Sequence, residues 1–169
     1  MKRLSALLAS AALAIAAGCA SHYQLGTTLP PDLRDVYVQA VQNNSAEPTI
    51  HQSATSALLR EIQRDGTLNL VSDEASATTV LEVSILDFTM KATTYQANDK
   101  HTGREYRATI RSHVIFRKRA TGTILYEGNI AGEEEFDATG DLTSAKRRMM
   151  PEACKDLAER IVDACISLW

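Results

Sequence analysis

Residues 105–118, with the sequence EYRATIRSHVIFRK, alternate between apolar side chains and charged or polar ones. A repeat of two residues is typical of a β-strand that buries one face and leaves the other in solvent. The apolar face carries Tyr106, Ala108, Ile110, Val114 and Phe116, and the opposite face carries Arg107, Thr109, Arg111, His113 and Arg117. We therefore predict that this strand organises a sheet with one buried face.

A short turn connects this strand to the next one. Residues 120–122, with the sequence ATG, fit a type I turn that ends with glycine in the left-handed conformation. Residues 123–136 alternate again, and this pattern predicts that the inward side chains are Ile124, Tyr126 and Ile130. The turn length predicts a hairpin in which the opposing pairs are Arg119 with Thr123, Arg107 with Glu135 and Thr109 with Glu133.

Further strands are predicted upstream of this hairpin. Residues 34–41, 67–72 and 79–94 are rich in apolar and β-branched residues, which favours strands. In residues 79–94, one face carries Leu81, Val83 and Ile85, and the other carries Glu82 and Ser84. The polar residues 98–103 predict a loop.

Two segments have the three- and four-residue apolar spacing of a helix. In the first, Thr49 and Gln52 form a capping-box pattern, Ile50, Ala54, Leu58 and Ile62 form the apolar face, and Gly66 ends the helix. In the second, Asp141 is the predicted N-cap, and the apolar positions are Leu142, Ala145, Met149, Ala153, Leu157, Ile161, Ala164 and Leu168. Pro151 either kinks this second helix or starts a new segment.

The order of these elements predicts the fold class. We expect an α+β two-layer sandwich in the order β-α-β-β-β-α. Its two helices pack on one face of a mostly antiparallel sheet of four to five strands. The other face of the sheet then meets water or a partner.

The N-terminus predicts export from the cytoplasm. Lys2 and Arg3 precede an apolar run at residues 4–17, and about 14 residues are too few to span a bilayer. The run ends in the sequence AAGC at residues 16–19, which resembles a bacterial lipobox in which Cys19 is lipidated. We therefore assign residues 1–18 to a signal peptide, 19–33 to a lipidated N-terminus and tether, and 34–169 to the folded domain; secretion without lipidation is the alternative.

The composition limits the class of protein. The chain has 169 residues, of which 44% are hydrophobic, and 21 Asp and Glu outnumber 18 Lys and Arg. These values indicate one globular domain and exclude a disordered chain. The acidic balance argues against a nucleic-acid partner, because such partners favour an excess of positive charge.

The sequence predicts neither a metal site nor a catalytic site. Cys154 and Cys165 lie on one predicted helix about 16 Å apart along its axis, so they do not bridge each other and are expected to be buried. The four histidines are scattered without ligand spacing, and the chain has no Gly-x-Ser-x-Gly motif. We expect no cofactor other than the covalent lipid on Cys19.

Several blocks of the sequence resemble the LptE family of lipopolysaccharide-assembly lipoproteins. They are YQLG at 23–26, LPPDLRDVYV at 29–38, NNSAEP at 43–48, LLREIQRDG at 58–66 and ATGTILYE at 120–127. The resemblance implies a non-catalytic lipoprotein on the periplasmic side of the outer membrane. It also implies a complex with the β-barrel protein LptD and a role in the transport of lipopolysaccharide to the outer leaflet.

Two other functions remain open at this stage. One is a lipoprotein activator of a periplasmic peptidoglycan synthase, although such a protein usually needs a longer tether to cross the periplasm. The other is a periplasmic enzyme, which would need a pocket with converging titratable groups.

The candidate ligand contacts form a basic stripe. Lys91, Arg107, Arg111, Arg117 and Arg119 are expected on the outward face of the sheet, and arginine binds phosphate in bidentate fashion. We predict that this stripe contacts lipopolysaccharide, whose lipid A carries phosphates. The alternative is that cross-strand ion pairs with Glu127, Glu133 and Glu135 neutralise it.

Overall fold

The computed structural model describes residues 29–96, 99–138 and 141–167, with the side chains of 94–96 and 99–104 left out. The elements are β1 (Asp35–Val38), β2 (Gln42–Asn43), α1 (Ile50–Asp65), β3 (Asn69–Leu70), β4 (Thr79–Gln96), β5 (Asp99–Lys118), β6 (Ile124–Asp137) and α2 (Leu142–Ile166). Short 3-10 turns lie at Pro31–Leu33 and Glu74–Ser76. The predicted signal peptide, Cys19 and Leu168 lie outside the described residues.

The strands form a single mixed sheet. Its order is β3-β1-β4-β5-β6, and the short β2 pairs with β4. Strands β4, β5 and β6 are antiparallel, whereas β1 runs parallel to β3 and β4. Both helices contribute buried side chains to one core with the inward face of this sheet. The predicted α+β sandwich is therefore confirmed, with β2 as an additional sixth strand.

The predicted strand at residues 34–41 is divided in the structure. Val38 pairs with Leu81 at the end of β1, and Gln42 pairs with Ser84 at the start of β2. Between these two pairs lie three residues of the first strand, 39–41, but only two of β4, 82 and 83, and the extra residue interrupts the ladder. The alternation of apolar and polar side chains in residues 34–41 does not reveal that the strand is divided. The extra residue becomes visible only when the chain is paired with β4.

The hairpin of β5 and β6 has the predicted register along most of its length. Arg107 pairs with Glu135 and Thr109 with Glu133, and Gly122 has a φ of 68°, as the turn requires. The predicted pairing of Arg119 with Thr123 is wrong, because the N–H of Lys118 donates to the carbonyl of Thr123 at 2.8 Å.

A bulge at Leu125 causes this difference. Phe116 pairs with Tyr126 but the next residue, Arg117, pairs with Ile124. An extra residue reverses the faces of the strand beyond it. Ile124 is therefore 51% exposed rather than inward, and Leu125 packs against the core in its place.

The predicted loop at 98–103 is wrong for residues 99–103. Strand β5 begins at Asp99, and the backbone of β4 and β5 stays paired up to Gln96 and Asp99. Asn98 lies outside the described residues. The polar composition suggested a loop, but a two-stranded ribbon beyond the core needs only backbone pairing and tolerates polar side chains on both faces.

Two of the predicted helix ends are confirmed. Gly66 ends α1 with a φ of 74°, and the Asp141 carboxylate accepts hydrogen bonds from the backbone N–H groups of Thr143 and Ser144 at 3.1 and 2.9 Å. Helix α2 continues through the exposed Pro151, so no second segment starts there. The capping box is wrong, since Thr49 is the N-cap but its side chain makes no capping bond.

Packing in the core holds the first described residues against the domain and sets the distance between α2 and the sheet. Leu29 and Leu33 are buried, and the Arg34 guanidinium donates to the Leu29 carbonyl, so the chain is packed onto the domain from Leu29 onwards. On the other side, α2 lies so close to β6 that a Cβ at Gly132 would be 2.5 Å from the Leu157 Cβ.

Candidate functional site

The outward face of the sheet carries three of the arginines predicted to form the basic stripe. Arg107, Arg111 and Arg117 lie at alternate positions of β5, as predicted, and Lys91 is paired in register with Arg107. The sheet thus brings four of the five predicted residues to one face.

Ion pairs across the strands neutralise these three arginines. Arg107 reaches Glu135 on β6 at 2.6 Å and Arg111 reaches Asp87 on β4 at 2.6 Å. Arg117 donates to Glu82 at 2.7 Å, and this pair is the most buried of the three. The arrangement is a ladder of alternating charges rather than a basic stripe. The prediction named glutamates of β6 as partners, yet two of the three acids come from β4.

The electrostatics of Arg107 illustrate this ladder. The hydrogen bond that Arg107 donates to Glu135, followed by the charges of Glu135 and Glu133, raises the pKa of the Arg107 guanidinium above its ordinary value. The protonated form is therefore favoured by neighbours on its own sheet. A phosphate ligand would have to compete with these two carboxylates for the same donors.

Arg119 and Lys91 differ from these three arginines. The Arg119 Nε donates to the Ala77 carbonyl at 2.7 Å, and its backbone N–H donates to the Thr78 carbonyl at 2.9 Å. Arg119 therefore fastens the hairpin to the chain before β4. Lys91 is exposed and has no ion pair within the described part of the chain. It is the free cation on this face among the five predicted residues.

The inward face of the sheet carries a second feature, which the sequence analysis missed. Phe88, Met90, Tyr106 and Phe136 occupy successive rows of β4, β5 and β6, and each is only half-buried. The rings of Tyr106 and Phe136 stack with their centroids 5.8 Å apart. We call these four side chains the apolar patch. It continues the core beyond the region that the helices cover.

A cation of α2 borders the apolar patch. The Lys146 ammonium lies 5.5 Å from the centre of the Phe88 ring and is also paired with Glu47. Beside it, a cleft of about 270 Å³ is lined by Glu47, Thr49, Ser53, Thr143, Lys146, Arg147, Met150 and Pro151. The signal in the sequence was the run KRR at 146–148, which no helical pattern of apolar residues requires.

The two cysteines of the folded domain lie in the core. Burial raises the pKa of the Cys154 and Cys165 thiols to about 12, and both cysteines are free, as predicted. Among the residues that the structure describes, no group of His, Cys, Asp or Glu is arranged to hold a metal ion. None of the described helices is both long and apolar enough to cross a membrane.

Solved structures share the fold at low sequence identity. A protein from Xanthomonas campestris has a TM-score of 0.56 at 10% identity, covering 85% of this chain and 91% of its own. A hypothetical protein from Chlamydia trachomatis has a TM-score of 0.53 at 13% identity, covering 79% and 98%. A minor lipoprotein from Acinetobacter baumannii has a TM-score of 0.52 at 12% identity, covering 80% and 94%. These likenesses show the fold alone.

The sequence itself matches one family model over most of its length. The model is described as LptE, lipopolysaccharide-assembly, and it matches residues 33–164, which include every helix and strand of the sheet apart from the last residues of α2. No curated protein matches the chain. The chain belongs to the LptE family of lipopolysaccharide-assembly proteins.

Proposed function

We propose that the protein is an outer-membrane lipoprotein of lipopolysaccharide transport. In this proposal it is anchored through lipidated Cys19, faces the periplasm and forms a complex with an LptD-like β-barrel. It helps to place lipopolysaccharide in the outer leaflet and performs no catalysis. The observation that carries the proposal is the match of residues 33–164 to the LptE family.

The short segment between Cys19 and the folded domain supports a position close to the membrane. Nine residues lie between Cys19 and Leu29, which is buried in the domain. A fully extended chain of that length reaches about 35 Å. The domain must therefore stay near the anchoring bilayer, which suits a barrel partner better than an enzyme at the distant peptidoglycan.

The apolar patch is the part of the domain best suited to a lipid ligand. Half-buried aromatic side chains and Met90 offer surface to acyl chains, and the Lys146 ammonium beside Phe88 offers a charge to a phosphate. Arg147 in the adjoining cleft is exposed and has no ion pair within the described residues. We propose that lipid A meets the domain here, with acyl chains on the apolar patch and phosphate at Arg147 and at Lys146, where the phosphate competes with Glu47.

The residues predicted from the sequence differ in how well they suit this proposal. Lys91 lies on the opposite face of the same rows, has no ion pair within the described residues and remains a proposed phosphate contact. Arg107, Arg111, Arg117 and Arg119 are proposed only as weaker contacts, because each already donates to a carboxylate or a carbonyl.

The partner is tested in the native membrane. The full-length protein, carrying a C-terminal affinity tag, is purified from detergent-solubilised outer membrane, and its partners are identified by mass spectrometry. We expect a stoichiometric outer-membrane β-barrel and incorporation of labelled palmitate that Cys19→Ala abolishes. Recovery with a peptidoglycan synthase, or a fully soluble unlabelled protein, contradicts the proposal.

The ligand contact is tested with purified lipopolysaccharide. Tyr106→Ser and Lys146→Gln should each weaken binding about tenfold, which corresponds to roughly 1.4 kcal/mol. The combined variant Arg107→Glu with Arg111→Glu reports on the opposite face of the sheet, and Lys155→Gln, an exposed lysine of α2 outside the cleft, is the matched control for Lys146→Gln. If Tyr106→Ser and Lys146→Gln both bind lipopolysaccharide as the unmodified protein does, and both unfold at the same temperature as it does, lipid A does not bind at this place.

A further inference from the structure

The outer edge of β6 has hydrogen-bonding groups directed away from the sheet. Strand β6 pairs with β5 on one side, and no other described strand pairs with it. The backbone N–H of Glu133 donates to the Asp156 Oδ2 at 2.8 Å, so this N–H points away from β5. Residues alternate in direction along an antiparallel strand. The N–H and C=O groups of Glu127, Asn129 and Ala131 therefore point to the same open side.

Two structural features set the limits of this open edge. On one side, the bulge at Leu125 breaks the regular alternation. On the other, α2 contacts the backbone at Gly132, and Asp156 occupies the N–H of Glu133. The open edge thus comprises residues 127–131, about 17 Å of strand. We call it the β6 edge.

The charge of β6 restricts what can pair with the β6 edge. The strand ILYEGNIAGEEEFD contains five acidic residues and no lysine or arginine; Glu127 lies within the β6 edge, and the other four lie just beyond it at 133–137. Its basic neighbours are supplied by β5, on the side away from the opening. Like charges placed opposite each other destabilise a strand pair, whereas opposite charges stabilise it. A basic strand is therefore favoured over an acidic one.

We propose that the β6 edge binds an extended, basic segment of a partner protein as an added β-strand. Glu127, Asn129 and Ala131 would each exchange backbone hydrogen bonds with the segment, and Glu127 would face a lysine or arginine of it. This inference goes beyond the proposed function, because it assigns a mode of binding to the β6 edge, a surface that includes neither the apolar patch nor Cys19. The hydrogen bond between Glu133 and Asp156 defines where the added strand must stop.

The test measures amide hydrogen exchange in the full-length protein in mild detergent. The probe is a synthetic peptide of alternating lysine and valine, and the control is the same peptide with glutamate in place of lysine. We expect the lysine peptide to slow exchange at Glu127, Asn129 and Ala131 about tenfold, with no change at the interleaved residues Gly128 and Ile130. The glutamate peptide should change none of these amides.

Two substitutions at one position separate strand addition from charge attraction. Asn129→Pro removes an N–H that faces the open side and leaves the bonds to β5 intact, which edge strands tolerate. It should abolish the protection, whereas Asn129→Ala should retain it. If Asn129→Pro does not fold, a peptide N-methylated at alternate residues replaces it and should give no protection. Equal protection by both peptides, or amides already protected without peptide, overturns the proposal.

Discussion

Replacing Gly132 by alanine tests how tightly α2 is seated on the sheet. The added Cβ would lie 2.5 Å from the Leu157 Cβ, 2.6 Å from the Leu157 N and 2.7 Å from the Leu157 Cα. Two of these are backbone atoms, so no side-chain rotation relieves the contact. The helix must instead move away by about 1 Å, and that movement loosens a core packed at crystalline density.

The expected cost is about 2–3 kcal/mol of unfolding free energy, at the upper end of overpacking substitutions. For a domain of this size, that lowers the melting temperature by roughly 6–10 °C. Urea unfolding followed by circular dichroism measures this loss of unfolding free energy. An unchanged slope of free energy against urea concentration would show that only the stability has changed.

Gly128→Ala is the matched control on the same strand. Its Cβ would meet the Tyr126 hydroxyl at 2.8 Å, which is the far end of a side chain that can rotate. We expect a cost below about 1 kcal/mol for this change. Adding Leu157→Ala to Gly132→Ala should not restore stability, because the backbone atoms remain. If the unfolding free energies of the two glycine variants differ by less than about 0.5 kcal/mol, α2 is not held against the backbone at Gly132.

Three further outcomes are expected. The hydrogen bonds from Ser144 and Thr143 hold the pKa of the Asp141 carboxyl below its ordinary value, so its contribution to stability is present above about pH 3.9 and is lost as the pH falls through the lower folded pKa. Asp141→Asn should flatten this part of an acid-unfolding profile, and an unchanged profile would show that the cap does not titrate with folding. Because burial raises the pKa of Cys154 and Cys165 to about 12, the thiols should resist a disulfide reagent at pH 8 and react fully in urea; fast labelling of the native protein would contradict their burial. A double-mutant cycle on Arg117 and Glu82 should give a coupling of about 0.5–1 kcal/mol that weakens at high salt, and no coupling would show that the ladder does not stabilise the sheet.

For the ladder of ion-paired arginines, the sequence predicts the face of each arginine but not its partner on β4. Alternation placed Arg107, Arg111 and Arg117 on one face because the face of a residue depends only on its parity along the strand. Their partners depend on which residue of the neighbouring strand lies opposite. The register of β6 followed from the turn, so Glu135 was predicted opposite Arg107. The register of β4 changes at a bulge between Ile85 and Asp87, and the sequence of β4 gave no sign of it.

The sequence by itself determined the α+β class, the hairpin, the C-terminal end of α1, the N-terminal end of α2 and the family, because these depend on residues close together in the chain. Only the tertiary structure decided that Arg119 binds the Ala77 carbonyl, that Lys146 lies over Phe88, and that α2 touches the backbone at Gly132. Each of these contacts joins residues far apart in sequence. Their geometry is set by bulges and by the docking of helix on sheet, which local periodicity does not encode.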